Sequence, residues 1–88
     1  MRLQPANATV VNNLGWVLLQ SNHALEAADV LQQAVRLDPK DPLPRRNLGE
    51  AWLRAGKIER ARAQAQILRR LDKQSADDLD AQIAKSHP

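Results

Sequence analysis

Apolar residues recur at three- and four-residue spacings in two neighbouring stretches of the chain. The first holds Val10, Val11, Leu14, Val17 and Leu18; the second, beyond Asn22, holds Ala24, Ala27, Ala28, Leu31, Ala34 and Val35. Such spacing gathers side chains on one face of an α-helix, so a pair of helices is predicted with a break at Asn22. The pattern then starts again, because residues 47–56 (NLGEAWLRAG) follow the frame of residues 13–22 (NLGWVLLQSN). Laying residues 8–41 over 42–75, a shift of 34, gives nine identities without a gap: Asn13/Asn47, Leu14/Leu48, Gly15/Gly49, Leu19/Leu53, Ala27/Ala61, Gln32/Gln66, Arg36/Arg70, Leu37/Leu71 and Asp38/Asp72. Carried backwards, the same shift sets Arg2, Leu3 and Pro5 over Arg36, Leu37 and Pro39, so residues 1–7 read as the remnant of a preceding copy.

Start and stop signals fit this frame. Asn7 is placed to cap the first helix; Asp41 is placed to cap the third, with Pro42 and Pro44 in a first turn that needs no amide donors. Asn22 and Gly56, 34 residues apart, are the residue types most tolerant of positive φ. Ser75 with Asp78 three residues on predicts a last helix over 76–88, with Leu79 and Ile83 on one face. Asp77, Asp78, Asp80, Gln82 and Lys85 are expected in water, as on a helix that closes a repeat array, and His87 and Pro88 form a tail. One domain is expected over 1–88, divided as 1–7, 8–41, 42–75 and 76–88.

A 34-residue helix-turn-helix with Leu-Gly in its first helix and a small alanine in its second resembles the tetratricopeptide repeat. The first copy supplies Val11, Leu14, Gly15, Leu18, Ala27, Leu31 and Pro39; the second supplies Arg45, Leu48, Gly49, Trp52, Ala61, Ala65 and Lys73. Arg45, Ala65 and Lys73 depart from the pattern, which puts the packing of the second copy in doubt. The resemblance implies an all-α fold: antiparallel helical hairpins stacked as a short right-handed α-solenoid of five helices. Gly15, Gly49, Ala27 and Ala61 would let the two helices of a unit approach closely. The family's usual work is non-enzymatic protein binding, with a peptide segment or helix of a partner held in a concave groove formed by the first helices.

The same resemblance separates the tryptophans. Trp52 falls where the family wedges an aromatic between two helices, whereas Trp16 aligns with Glu50 and would look into the groove. The lining would be Thr9, Asn12, Asn13, Trp16, Leu19 and Gln20, then Leu43, Arg46, Asn47, Glu50, Leu53 and Arg54. Among these, Asn12, Asn13, Trp16, Gln20, Arg46, Asn47, Glu50 and Arg54 are the candidate contacts, with Asn13 and Asn47 as paired readers of an extended backbone. Two alternatives stay open: Trp16 packs on an upstream repeat, and the asparagines tie adjacent helices. Some relatives clamp a terminal carboxylate with lysine and asparagine on first helices. Here Asn12, Trp16 and Leu43 stand at those places, so that mode is not expected.

The first helix is apolar almost all the way round, which predicts burial on several sides. Either upstream repeats covered it, or two chains associate through Val10, Leu14 and Val17 as a homo-oligomer.

Composition narrows the chemistry. There is no cysteine, and His23 and His87 lie far apart, so no disulfide, metal site or cofactor is expected. Neither a phosphate-binding glycine loop nor a nucleophile elbow occurs, and Asp77, Asp78 and Asp80 fit a helix N-terminus, so no catalytic residues are assigned. Residues 36–73 carry eleven cationic and five acidic side chains, which suits a partner of acidic character. Lys57, Arg60, Arg62, Arg69 and Arg70 fall on a second, outward helix, and no Phe or Tyr is present to stack on bases, so nucleic acid is not the expected ligand. No apolar run approaches a membrane span of ~20 residues, and no leader pattern precedes the first helix, which favours a cytoplasmic location.

Overall fold

The computed structural model describes residues 7–86, which form five helices: α1 (Ala8–Gln20), α2 (Ala24–Leu37), α3 (Pro42–Arg54), α4 (Ile58–Leu71) and α5 (Lys73–Ser86). Consecutive helices pack on one another, and α3 also touches both α1 and α5. This is a short helical-repeat solenoid, with no strand among the described residues. The expected remnant before Asn7 and the tail at His87 and Pro88 lie outside the described residues.

The caps form where the residues place them. Asn7 Oδ1 accepts from the amides of Thr9 (2.8 Å) and Val10 (3.3 Å), and Asp41 Oδ1 from that of Leu43 (3.1 Å). Both hairpin turns share one geometry. Asn22 takes φ 66° and Gly56 φ 80°, and the next amide reaches back five residues, His23 to the Leu18 carbonyl (2.9 Å) and Lys57 to that of Trp52 (2.8 Å). A left-handed residue followed by this long backward bond is the usual closure of a helix end.

The last helix begins at Lys73, not after Ser75. The positions matching Pro39, Lys40 and Asp41, which connect α2 to α3 in the first copy, are here Lys73, Gln74 and Ser75 and form the start of α5. The helices α4 and α5 thus meet at the single extended residue Asp72, whose carboxylate accepts the Ser75 hydroxyl (2.7 Å). Asp77, Asp78 and Asp80 therefore lie past the first turn, and α5 has no acidic first turn.

The core runs through Leu19, Leu31, Leu48, Trp52, Leu68, Leu79 and Ile83, interleaved with alanines that include Ala27 and Ala61. A Cβ on Gly15 would stand 2.5 Å from Leu31 Cγ, so α1 meets α2 there as closely as glycine allows. Gly49 behaves differently from expectation. Its open side is filled by Leu79 of α5, the following helix, and not from α4. The cause is Ala65, which stands at Leu31's place in the second copy and is too short to reach across. Trp52 is buried as its position predicted, and the Arg60 guanidinium lies 4.8 Å from its ring centre, a cation–π contact that the sequence did not suggest.

Candidate functional site

Residues at offsets of three and four share one face of a helix, and α1 and α3 turn such faces toward each other. Asn12, Asn13 and Trp16 from α1 meet Leu43, Arg46 and Asn47 from α3 around a groove of about 250 Å³. Its base is an amide bridge in which Asn47 Nδ2 donates to Asn12 Oδ1 at 3.0 Å, both residues being buried. Trp16 (42% exposed) and Leu43 (49%) form the rim.

The two asparagines placed as equivalents in the sequence therefore have different surroundings. Asn47 has α1 beside it and is closed off, whereas Asn13 is exposed because no described helix lies on the matching side of α1. Asn47 acts here as a tie between helices. Truncating it strands a buried acceptor on Asn12, so Asn47→Ala is expected to cost about 1–3 kcal/mol in urea unfolding. An unchanged midpoint and slope would show that the bridge contributes nothing.

The groove does not gather every candidate. Leu19 is fully buried in the core instead of lining it. Glu50 is only 8% exposed and pairs with Arg54 at 2.7 Å, and Arg54 Nη1 also donates to the Leu19 carbonyl (3.2 Å). This cation is committed to bracing α3 against the end of α1. Gln20, Arg54's counterpart, is exposed and outside the groove lining.

Arg46 carries the groove's charge. Its Nε lies 3.9 Å from Asp78 Oδ2 of α5, an ion-pair distance too long for a hydrogen bond, and that buried Nε has no hydrogen-bond partner. Asp78 was expected in water; in the 34-residue overlay it stands at the place of Pro44, which is buried on α3, and it reaches Arg46 of the neighbouring α3. The other acids of α5 also turn back to cations: Asp77 pairs with Arg69 and Lys73 (3.7 and 3.8 Å), and Asp80 bonds Arg69. Arg62 pairs with Glu59 at 3.0 Å. On the basic outer face Arg62, Arg69 and Lys73 are thus paired, and Arg60 lies over the Trp52 ring. Arg45, which replaces an apolar residue, donates to Gln64 Oε1 (3.2 Å), and burial pushes its guanidinium below the ordinary value.

Val10 (64% exposed), Leu14 (52%) and Val17 (58%) stand open on α1, as an uncovered helix predicts. Among the described residues no group of three His, Cys, Asp or Glu side chains is placed to hold a metal, and no helix is long and apolar enough to cross a membrane.

A family model described as tetratricopeptide repeat matches residues 2–42 and, in a second register, residues 12–76. No curated protein matches the chain.

Proposed function

Because the chain belongs to the tetratricopeptide repeat family, whose repeats mediate protein–protein interaction, we propose that it holds an extended segment of a protein partner in the groove between α1 and α3. The observation that carries this reading is the exposed indole and leucine on the groove's rim beside Arg46, which is held by Asp78 only at 3.9 Å. Tryptophan and arginine are the side chains on which binding energy concentrates at protein interfaces. An apolar side chain of the segment lies on Trp16 and Leu43, its main chain meets the exposed Asn13 amide, and a carboxylate next along it competes with Asp78 for Arg46. The segment is therefore acidic beside its apolar anchor. Asn12, Asn47, Glu50 and Arg54 hold the walls in register and do not touch the ligand. The family is typically non-catalytic.

The test uses a peptide selected against the intact chain from a display library. Trp16→Ala removes an indole that is more than half buried, so about 1–2 kcal/mol of stability is expected to go with it, and affinity is compared under conditions where circular dichroism shows both chains folded. Affinity for the peptide is expected to fall about tenfold or more, the loss of about 1.4 kcal/mol typical of an interface anchor. Equal affinity for both chains, measured by calorimetry, would remove the groove from the account.

A second reading, a homo-oligomer joined through α1, is favoured by the exposure of Val10, Leu14 and Val17. Sedimentation equilibrium showing a monomer at every concentration would dispose of it.

A further inference from the structure

Resting on the groove between α1 and α3 as the binding surface, we infer that Asp78 is a built-in competitor at Arg46: it lowers the groove's affinity for a segment that brings a carboxylate and leaves that for an uncharged segment as it is. Arg46 is the one charged side chain among the residues lining the groove, so an incoming acid meets no other cation in that lining. The three arginines of α3 are held differently. Arg45 donates to Gln64 Oε1 (3.2 Å), and Arg54 is taken up by Glu50 (2.7 Å) and the Leu19 carbonyl (3.2 Å). Among the described residues Arg46 has only Asp78, with Nε 3.9 Å from Oδ2, close enough to attract and too far to hydrogen-bond. The other oxygen of Asp78 is engaged on α5 itself, where Gln74, one turn earlier, donates Nε2–H to Oδ1 at 3.1 Å.

A segment's carboxylate that closes on Arg46 makes a charge-assisted hydrogen bond, stronger than a pair held apart. It therefore displaces Asp78, but it gains only the difference. The last helix stays in place during this exchange, because Ala76, Leu79 and Ile83 are buried in the core and Arg69 of α4 pairs with Asp77 and Asp80 on the other flank of α5. The exchange is thus confined to one pair of side chains, 29% and 45% exposed. Pairs this open are weak, which limits the competition to a factor of about two to five in affinity. A segment without an acid leaves the pair intact and meets no competition. The apolar contact on Trp16 and Leu43 counts in full and the acid only in part, so the groove favours an apolar residue with an acid beside it over a segment that is merely acidic.

The probes are the display-selected peptide, with a glutamate beside its apolar anchor, and the same peptide with that glutamate changed to glutamine, both titrated by calorimetry. Asp78→Asn keeps the oxygen that Gln74 bonds and removes the charge. It is expected to tighten the glutamate peptide about two- to fivefold and to leave the glutamine peptide unchanged. The gain is expected to vanish in an Arg46→Gln chain. Asp77→Asn, which removes an equal charge from the exposed side of α5, is expected to give none. A gain that persists without Arg46, or that Asp77→Asn matches, would mean general relief of repulsion and overturns the inference; so does an Asp78→Asn chain that binds the glutamate peptide no better than the parent. If in that last case Trp16→Ala still weakens binding, the groove stands and only the competitor falls. Equal binding by the Trp16→Ala chain and the parent, or selected peptides with no acid beside the anchor, overturns the groove reading itself and the inference with it.

Discussion

Leu79→Ala is expected to destabilise the chain by about 2–5 kcal/mol, the range for emptying a fully buried leucine site, although Leu79 lies outside both repeats. The side chain is 1% exposed and fills the space over Gly49 that the first copy fills over Gly15 with Leu31. A short fifth helix thus supplies volume that Ala65 leaves out. If that is the physical reason, Ala65→Leu should recover part of the loss in the Leu79→Ala chain. In the unaltered chain the same Ala65→Leu should cost about 1–3 kcal/mol through overpacking. The two changes would then be strongly non-additive in urea unfolding, as expected for residues competing for one space. Simple additivity would show that Leu79 and position 65 do not share the site.

The other large effect is expected at Trp52. Trp52→Ala should cost about 3–5 kcal/mol, most of the stability of a marginal domain, about 5 kcal/mol, so its melting midpoint by circular dichroism should fall far below that of the parent, toward room temperature. Two causes contribute. The buried indole spans the second hairpin, and Arg60 lies over its ring, an interaction worth about 0.5–1 kcal/mol at an exposed site. Arg60→Ala should therefore lose only the smaller amount. A cooperative melt of Trp52→Ala near that of the parent would contradict the assignment of Trp52 to the core.

Much of the architecture was legible because it rests on local chemistry. The helical period, the Asn7 and Asp41 caps and the two left-handed turn residues each depend on a few neighbouring atoms, and each appears where the residues imply it. The resemblance to the family also separated a buried tryptophan from an exposed one. Where the overlay of copies misled, equal position in a repeat did not mean equal neighbours. Asn13 and Asn47 match in sequence, but only Asn47 has a first helix on its far side. Gly49 matches Gly15, but its partner comes from the next helix because position 65 is short. Ser75 looked like a cap, yet the helix begins at Lys73, and Asp78, at the place of Pro44 in the overlay, reaches Arg46 of α3. Glu50 and Arg54 looked like groove charges; their spacing of four along one helix face lets them pair with each other instead.

The two tryptophans make the groove testable in one spectrum. With the selected acidic peptide added to the isotopically labelled chain, nuclear magnetic resonance is predicted to show the Trp16 indole N–H, the Asn13 side-chain amide and the Arg46 Nε–H shifting together at saturation, while the Trp52 indole stays in place. A peptide that binds while the Trp16 and Arg46 signals stay fixed, or that shifts the Nε–H groups of Arg62 and Arg69 instead, would contradict the claim that the wall formed by α1 and α3 is the binding surface.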